Sequence, residues 1–344
     1  QTNKMKKKSV ILFLLLSLNL FSQEIMFYEK EISNRENFEF YDYTVLQKQD
    51  NIKLTGTLIT PKVNYDKIVF IVPGSGKDTR NSHFILTELL LKNNIAVFRY
   101  DERGVGKSEG VFNNNSYTIN EMTEDFQSIF NEVTTTEKFV NKKIGLIGHS
   151  YGGLITIGAI EKGLKCDFLI QWATSVERAT EFFKYQIKTG LNKQEKNLQY
   201  SDNETKFKVM DSISKIIDRN PTLDEMSLKK VIYSTMKKYG FKKKDFGWYI
   251  TFSSYIELLK KNFIPVYEKL SIPTSYIIGD NDIFVDPIAN TTLLKKINNK
   301  NIDIKVFESL NHYLTSSKNL ELNTSLYEID EMAKTYVLDW IKSK

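Results

Sequence analysis

An α/β fold, with a mostly parallel sheet covered by helices on both faces, is predicted by three features of the 344-residue sequence. Short apolar runs alternate with helical patterns along most of the chain, the order that builds a doubly wound sheet. The runs after the first two are unbroken in hydrophobicity, as strands are when helices cover both faces. Between DFLIQW (167–172) and SYIIG (275–279) the rhythm stops, and only helical patterns follow one another. That interval predicts a helical insertion.

Residues 38 to 60 alternate apolar and polar in two bursts, FEFYDYTVL and IKLTGTLIT, and read as an antiparallel hairpin pair. The buried strands then follow in order: IVFIV (68–72), IAVFRY (95–100), KIGLIG (143–148), DFLIQW, SYIIG and IDIKVF (302–307). Helical periodicity falls near 82–93, 121–133, 151–162, 287–297 and 325–342. The insertion carries four further patterns: ERATEFFKYQI, KFKVMDSISKIIDR, SLKKVIYSTMKKYG and FGWYITFSSYIELLKK. Residues 176–268 are therefore expected to form a helical cap over the C-terminal edge of the sheet. The core is expected in two parts, 23–175 and 269–344.

The formal net charge of +6 is concentrated at one end. Lys4, Lys6, Lys7 and Lys8 precede the apolar run from Val10 to Leu20, the pattern of a secretory signal. The run is shorter than the ~20 residues of a membrane span. Met5 reads as the start, with cleavage expected after Ser22 and residues 1–22 as the signal peptide; an uncleaved N-terminal anchor is the alternative. Removing that segment removes four lysines and no acids, leaving 6 − 4 = +2. No basic patch then argues for nucleic acid, and no membrane span is expected after signal removal. Cys166 is the only cysteine, so no internal disulfide can form; in CDFLI it reads as a small buried hydrophobe. Three histidines, none paired at ligand spacing, predict no metal site. Nothing in the sequence sets an oligomeric state.

Gly148-His149-Ser150-Tyr151-Gly152 fits G-x-S-x-G, a sharp strand-to-helix turn that presents a serine. The pentapeptide alone also fits a structural serine. Its context is a buried strand before and a helix after, and that context favours a nucleophile. Side chains at either glycine would collide with neighbouring backbone. A serine nucleophile needs a base and a group that orients the base. His149 adjoins the serine and should point away from it. His83 precedes the nucleophile and reads as packing near a helix start. His312, in SLNHYLT after the last strand, is the candidate base. The loop after SYIIG holds three aspartates. Asp282 is favoured as the acid, three residues past Gly279. Asp280 is the alternative, and Asp286 before Pro287 reads as a helix N-cap. The oxyanion needs two backbone N–H donors, for which Ser75 in PGSG and Tyr151 are the candidates. GVGKSEG (104–110) resembles a phosphate loop. However, a Walker A pattern needs glycine where Asp101 stands, so it reads as a structural turn with Asp101 and Arg103 paired. Trp248, Phe252 and Tyr255 fall on one helical face in the cap, either a packing face or the apolar wall of a substrate pocket.

Taken together, VPGSGKDTRN (72–81), FRYDERGVGKSEG (98–110), IGLIGHSYGGLI (144–155), GWYITFSSY (247–255) and IIGDNDIFV (277–285) resemble the α/β-hydrolase superfamily. More narrowly, they are similar to exported bacterial serine esterases with a PGSG loop, an RYDxRGxGKS segment and a GHSxGG nucleophile elbow. The resemblance covers about residues 38 to 340 and implies a Ser150, Asp282, His312 triad in an α/β-hydrolase fold. The expected activity is a serine hydrolase, a carboxylesterase acting on a small-molecule acyl ester without a cofactor, in a periplasmic or extracellular location. The same machinery also serves thioesterases, acyltransferases and peptidases. An aminopeptidase-like reading needs a charged anchor, for which the cap offers Glu177, Glu181, Asp224 and Glu225. A non-catalytic binding module is the reading from a different class.

Overall fold

The computed structural model describes residues 32–113, 115–191, 202–316 and 328–344. The expected signal peptide, residues 1–22, lies outside them. β1 (Phe38–Gln47) and β2 (Ile52–Pro61) form the antiparallel hairpin. β3 (Lys67–Val72), β4 (Ala96–Tyr100), β5 (Lys143–His149), β6 (Phe168–Trp172), β7 (Thr274–Gly279) and β8 (Ile302–Phe307) complete one sheet. The order is β1-β2-β4-β3-β5-β6-β7-β8, and every pair from β4 onward is parallel.

Strands β3 to β7 are buried nearly throughout, as their unbroken apolar runs predict. IDIKVF departs from that expectation. It is one of the two edge strands, and only Phe307 is fully buried. Its charged Asp303 and Lys305 alternate with Ile302 and Ile304, the pattern of a strand wetted on one face and suited to a sheet edge.

Helices α1 (Phe84–Lys92), α2 (Ile119–Val133) and α3 (Tyr151–Glu161) connect the parallel strands. α2 begins at a capping box, in which Thr118 accepts from the Glu121 N–H and Glu121 reaches back to the Thr118 N–H. Between β6 and β7 the described residues hold six helices and no strand: α4 (Ala179–Lys188), α5 (Asn203–Arg219), α6 (Glu225–Lys238), α7 (Lys243–Thr251), α8 (Ser253–Lys260) and α9 (Ile264–Lys269). α10 (Pro287–Ile297) and α11 (Glu331–Lys342) close the fold.

The pattern FGWYITFSSYIELLKK does not form one helix. Phe252 is extended, at φ −97° and ψ 137°, and divides α7 from α8. Trp248, Phe252 and Tyr255 therefore do not share a helical face, yet their rings still meet. Trp248 lies 4.9 Å and Phe252 5.9 Å from the Tyr255 ring, and Phe183 of α4 joins them at 5.4 Å. Cys166 is half-buried rather than buried, and desolvation pushes its thiol up to about 12.

Asp101 and Arg103 do not pair with each other. The Asp101 carboxylate, at the end of β4, accepts from the Arg80 main chain (2.8 Å), Arg80 Nε (3.1 Å) and the Lys107 amide (2.9 Å). Arg103 forks onto Asp125 at 2.8 and 2.6 Å and also reaches Asp50. Each arginine thus anchors to a different element. A Cβ on Gly106 would fall 2.5 Å from the Asp101 carboxyl carbon, so GVGKSEG is a turn folded around a buried carboxylate. Burial alone would raise the Asp101 carboxyl, but the Arg80 guanidinium and the amides leave it below its ordinary value. A depressed carboxyl stabilises the fold above its unfolded value and ceases to do so as pH falls through its folded value. Asp101→Asn is expected to cost about 3 kcal/mol at pH 7, because it removes the buried partner of Arg80 and leaves only the exposed Asp42 carboxylate, at 3.4 Å. Urea midpoints measured from pH 7 down to pH 3 check this: the gap between wild type and variant should narrow only at the acid end.

Candidate active site

Ser150 sits between β5 and α3 at φ 53° and ψ −115°, a conformation that non-glycine residues rarely adopt. Neighbouring glycines make it possible. A Cβ on Gly148 would meet Gly152 O and Gly153 Cα at 2.6 Å, and one on Gly152 would run into the Val72 and Pro73 carbonyl oxygens. The turn is thereby pressed against the end of β3. The Ser150 N–H donates to Trp172 O at 2.7 Å, fixing the turn to β6 as well.

The loop after β3 approaches from the other side. A Cβ on Gly74 would stand 3.4 Å from Ser150 Cβ. Ser75 and Gly76 line a cleft with Tyr151, so the PGSG loop and the residue after Ser150 face common space.

Asp282 and His312 meet at the far edge. His312 Nδ1 lies 2.7 Å from Asp282 Oδ2, with the two residues 3% and 1% exposed. The other carboxylate oxygen, Oδ1, accepts from the Phe284 N–H (2.7 Å) and the Val285 N–H (2.9 Å), so the carboxylate cannot turn away. Asp280 is exposed and accepts from the Ser309 N–H at 2.6 Å, a loop contact rather than an imidazole contact. Asp286 caps α10 through the Ile288 and Ala289 amides. His312 is also stacked near Phe284, with ring centroids 4.7 Å apart.

Several residues that hold this site carried no motif. Helix α4 clamps the acid loop: Tyr185 Oη donates to Asp282 O (2.6 Å) and Thr189 Oγ1 to Ile283 O (2.8 Å). Asn290 of α10 accepts from the Val176 and Glu177 amides at 2.6 and 3.0 Å and donates to Glu177 Oε2 at 3.2 Å. The only sequence signal for these was the polar positions within helical patterns. Pairing that far apart along the chain is not readable from spacing.

Two clefts meet at Tyr151, Phe182 and Leu258. The first, about 450 Å³ counting its open mouth, contains Ser150, with apolar walls from Leu154, Phe263 and Val285, one acid, Glu177, and one base, Lys261. The second, about 900 Å³ on the same measure, contains Ser75, Asn115, Gln186 and Tyr255. Of the three cap aromatics singled out, Tyr255 lines a cleft, while Trp248 and Phe252 pack on it. Of the four cap acids, Glu177 lines the Ser150 cleft. Glu181 pairs with Lys184, Asp224 caps α6, and Glu225 pairs with Lys229. Desolvation, with Asp286 and Glu181 nearby, pushes the Glu177 carboxyl up to about 7.

An eight-stranded sheet with this crossover order and a strained serine turn at the end of β5 defines an α/β-hydrolase. The chain belongs to the serine aminopeptidase, S33 family, which it matches over residues 64–236. Its structure is similar to that of an esterase from Pyrococcus furiosus, at 17% identity and a TM-score of 0.56, over 92% of this chain and 95% of that one. It is also similar to an esterase from Exiguobacterium antarcticum (15%, 0.52, 87% and 99%). A third similar structure is Est1E from Butyrivibrio proteoclasticus, solved with ferulic acid bound (19%, 0.51, 87% and 99%). At these identities the likeness speaks to the fold. No curated protein matches the sequence. Among the described residues no helix is long and apolar enough to cross a membrane.

The elbow gives a prediction with an inverted sign. Glycine to alanine in the first turn of a helix ordinarily gains up to about 1 kcal/mol. At Gly152 the new methyl meets backbone oxygens, and overpacking of that kind costs about 1–3 kcal/mol. Gly152→Ala should therefore lower the thermal midpoint, measured by circular dichroism, instead of raising it.

Proposed function

We propose that the protein is an exported serine hydrolase that cleaves carboxylic esters of small or medium acyl groups through Ser150, His312 and Asp282. The observation that carries this reading is the buried 2.7 Å contact between His312 and Asp282, with the His312 ring 5.2 Å from that of His149, the residue before the strained Ser150. Asp282 accepts the His312 Nδ1–H, which leaves Nε2 as the basic nitrogen. That nitrogen takes the Ser150 proton as Oγ attacks the ester carbonyl. The Ser75 and Tyr151 N–H groups hold the resulting oxyanion. The C–O bond to the alcohol breaks, and the alcohol leaves with the proton from His312. Water, activated by His312, then releases the acid and restores Ser150. Every proton and electron pair is accounted for by these groups, so no cofactor enters the scheme.

The esterase names of the similar structures agree with this reading. Export is read from residues 1–22, and the intact mass of exported protein should begin at Gln23. A p-nitrophenyl ester series from acetate to palmitate tests the activity. Turnover should be highest on short or medium chains and fall by roughly a millionfold in Ser150→Ala. Comparable rates in wild type and Ser150→Ala would remove Ser150 from the mechanism.

A second reading, cleavage at an amine-bearing residue, is favoured by one observation: Glu177 is the acid in the Ser150 cleft, with a carboxyl near 7. Below that pH the carboxyl is neutral; above it, it is charged and can pair with an ammonium group. On this reading KM for a glycine betaine anilide, an aminoacyl analogue whose quaternary ammonium stays charged throughout, falls roughly fivefold between pH 6 and pH 8. Glu177→Gln abolishes that change while leaving KM for p-nitrophenyl butyrate level. A KM for the aminoacyl substrate that ignores both pH and Glu177 would leave the simple ester reading alone.

A further inference from the structure

His83 and His149 have no part in the chemistry just described, yet both are buried, His149 against the base and His83 against His149. Their exposures are 2% and 4%, against 3% for His312. Folding gathers all three histidines of the chain into one cluster. His83 Nε2 and His149 Nδ1 stand 3.0 Å apart, across 66 residues of sequence. His83 Nδ1 lies 3.1 Å from Ser82 Oγ. The His149 ring packs on the Trp172 indole, with centroids 4.4 Å apart, and on the His312 imidazole at 5.2 Å and 41°.

The backbone holds His83 in place independently of its ring. His83 precedes α1 at φ 53°, and its carbonyl accepts from Thr87 N (2.9 Å) and Thr87 Oγ1 (3.0 Å). Desolvation, with Arg99 adding to it, brings the His83 imidazole down to about 4. Desolvation, with His312 and His83 adding, drives His149 well below its ordinary range. Both rings are therefore neutral at neutral pH. A neutral imidazole carries one donor and one acceptor, so the two can form a hydrogen bond without a charge beside the base.

The three rings come from three strand ends: His83 from the loop after β3, His149 from the last position of β5, and His312 from the loop after β8. The imidazole pair joins the first to the second, and the ring stack joins the second to the third. Asp282 holds His312 at Nδ1, and a ring on one such bond can still pivot. We propose that His83, acting through His149, is a positioning residue for His312, fixing the surface against which the base rests. This inference rests on the functional reading above.

The test compares His83→Leu with His83→Gln in the full chain, on p-nitrophenyl butyrate. The glutamine amide can return a donor or an acceptor near the place of Nε2; leucine cannot. Active sites are counted by titration with a p-nitrophenyl phosphonate, so that a loss of folded protein cancels. The expected result is a kcat per active site roughly tenfold lower in His83→Leu, with KM within about twofold of wild type and most of the loss recovered in His83→Gln. Where His83→Leu yields no folded protein, His149→Asn and His149→Leu make the same comparison, since the asparagine amide mimics Nδ1. Wild-type kcat per site in the leucine variant, or equal losses in the leucine and amide variants, would overturn the proposal. Wild-type turnover that does not depend on Ser150 would instead overturn the functional reading, and the positioning role with it.

Discussion

The contact on which the site depends is the one between the start of α3 and the end of β3. At Gly152 the helix backbone is pressed so closely to the Val72 and Pro73 carbonyls that no side chain fits between them. That contact lets the chain reverse from β5 into α3 within one residue. The residue in the reversal, Ser150, takes a backbone conformation that costs of order 1–3 kcal/mol, sustained only because packing on several sides over-determines it. The hydrogen bond from Ser150 N to Trp172 O and the close pass of Gly74 supply two of those sides.

Around that turn, charge and polarity are used to stiffen loops. Buried Asp101 and Arg80 join the loop after β3 to the loop after β4, and Arg103 with Asp125 joins the latter to α2. A buried ion pair is weak evidence for net stability, since desolvation offsets much of its attraction. Its value here is geometric: each carboxylate accepts several fixed donors, so neither loop can shift alone. The inserted helices play a similar part on the opposite side, where Tyr185 of α4 and Thr189 at its C-terminal cap hold the backbone of the Asp282 loop. The insertion thus lines the clefts and also braces the loop that carries Asp282.

Much of this was legible in the sequence, and the limits of that legibility have physical causes. Strands β3 to β7 announce themselves because a strand covered on both faces must be apolar throughout. β8 was misjudged because a six-residue stretch with three aliphatic residues and one phenylalanine looks the same at an edge as in the interior. The glycines of the elbow were readable because steric exclusion leaves glycine as the sole solution. The choice of Asp282 over Asp280 followed from distance along the loop, and the structure brings Asp282, not Asp280, to His312. The pairing of Asp101 with Arg103 failed because proximity in sequence says little about side chains pointing to opposite sides of a turn. The cap aromatics converge although their helix breaks at Phe252, a break that no proline or glycine signals. His83 and His149 were read one at a time; their hydrogen bond depends on the β3-β5 adjacency, which spacing cannot reveal.

The central claim is that Ser150 is an activated nucleophile. The most direct measurement is reaction of the folded protein with a fluorophosphonate, read by intact mass and peptide mapping. One adduct per chain is expected, on Ser150, with labelling slowed strongly in His312→Ala and Asp282→Ala while both variants keep their fold. Absence of an adduct on folded wild-type protein, or an adduct on another residue, would contradict it.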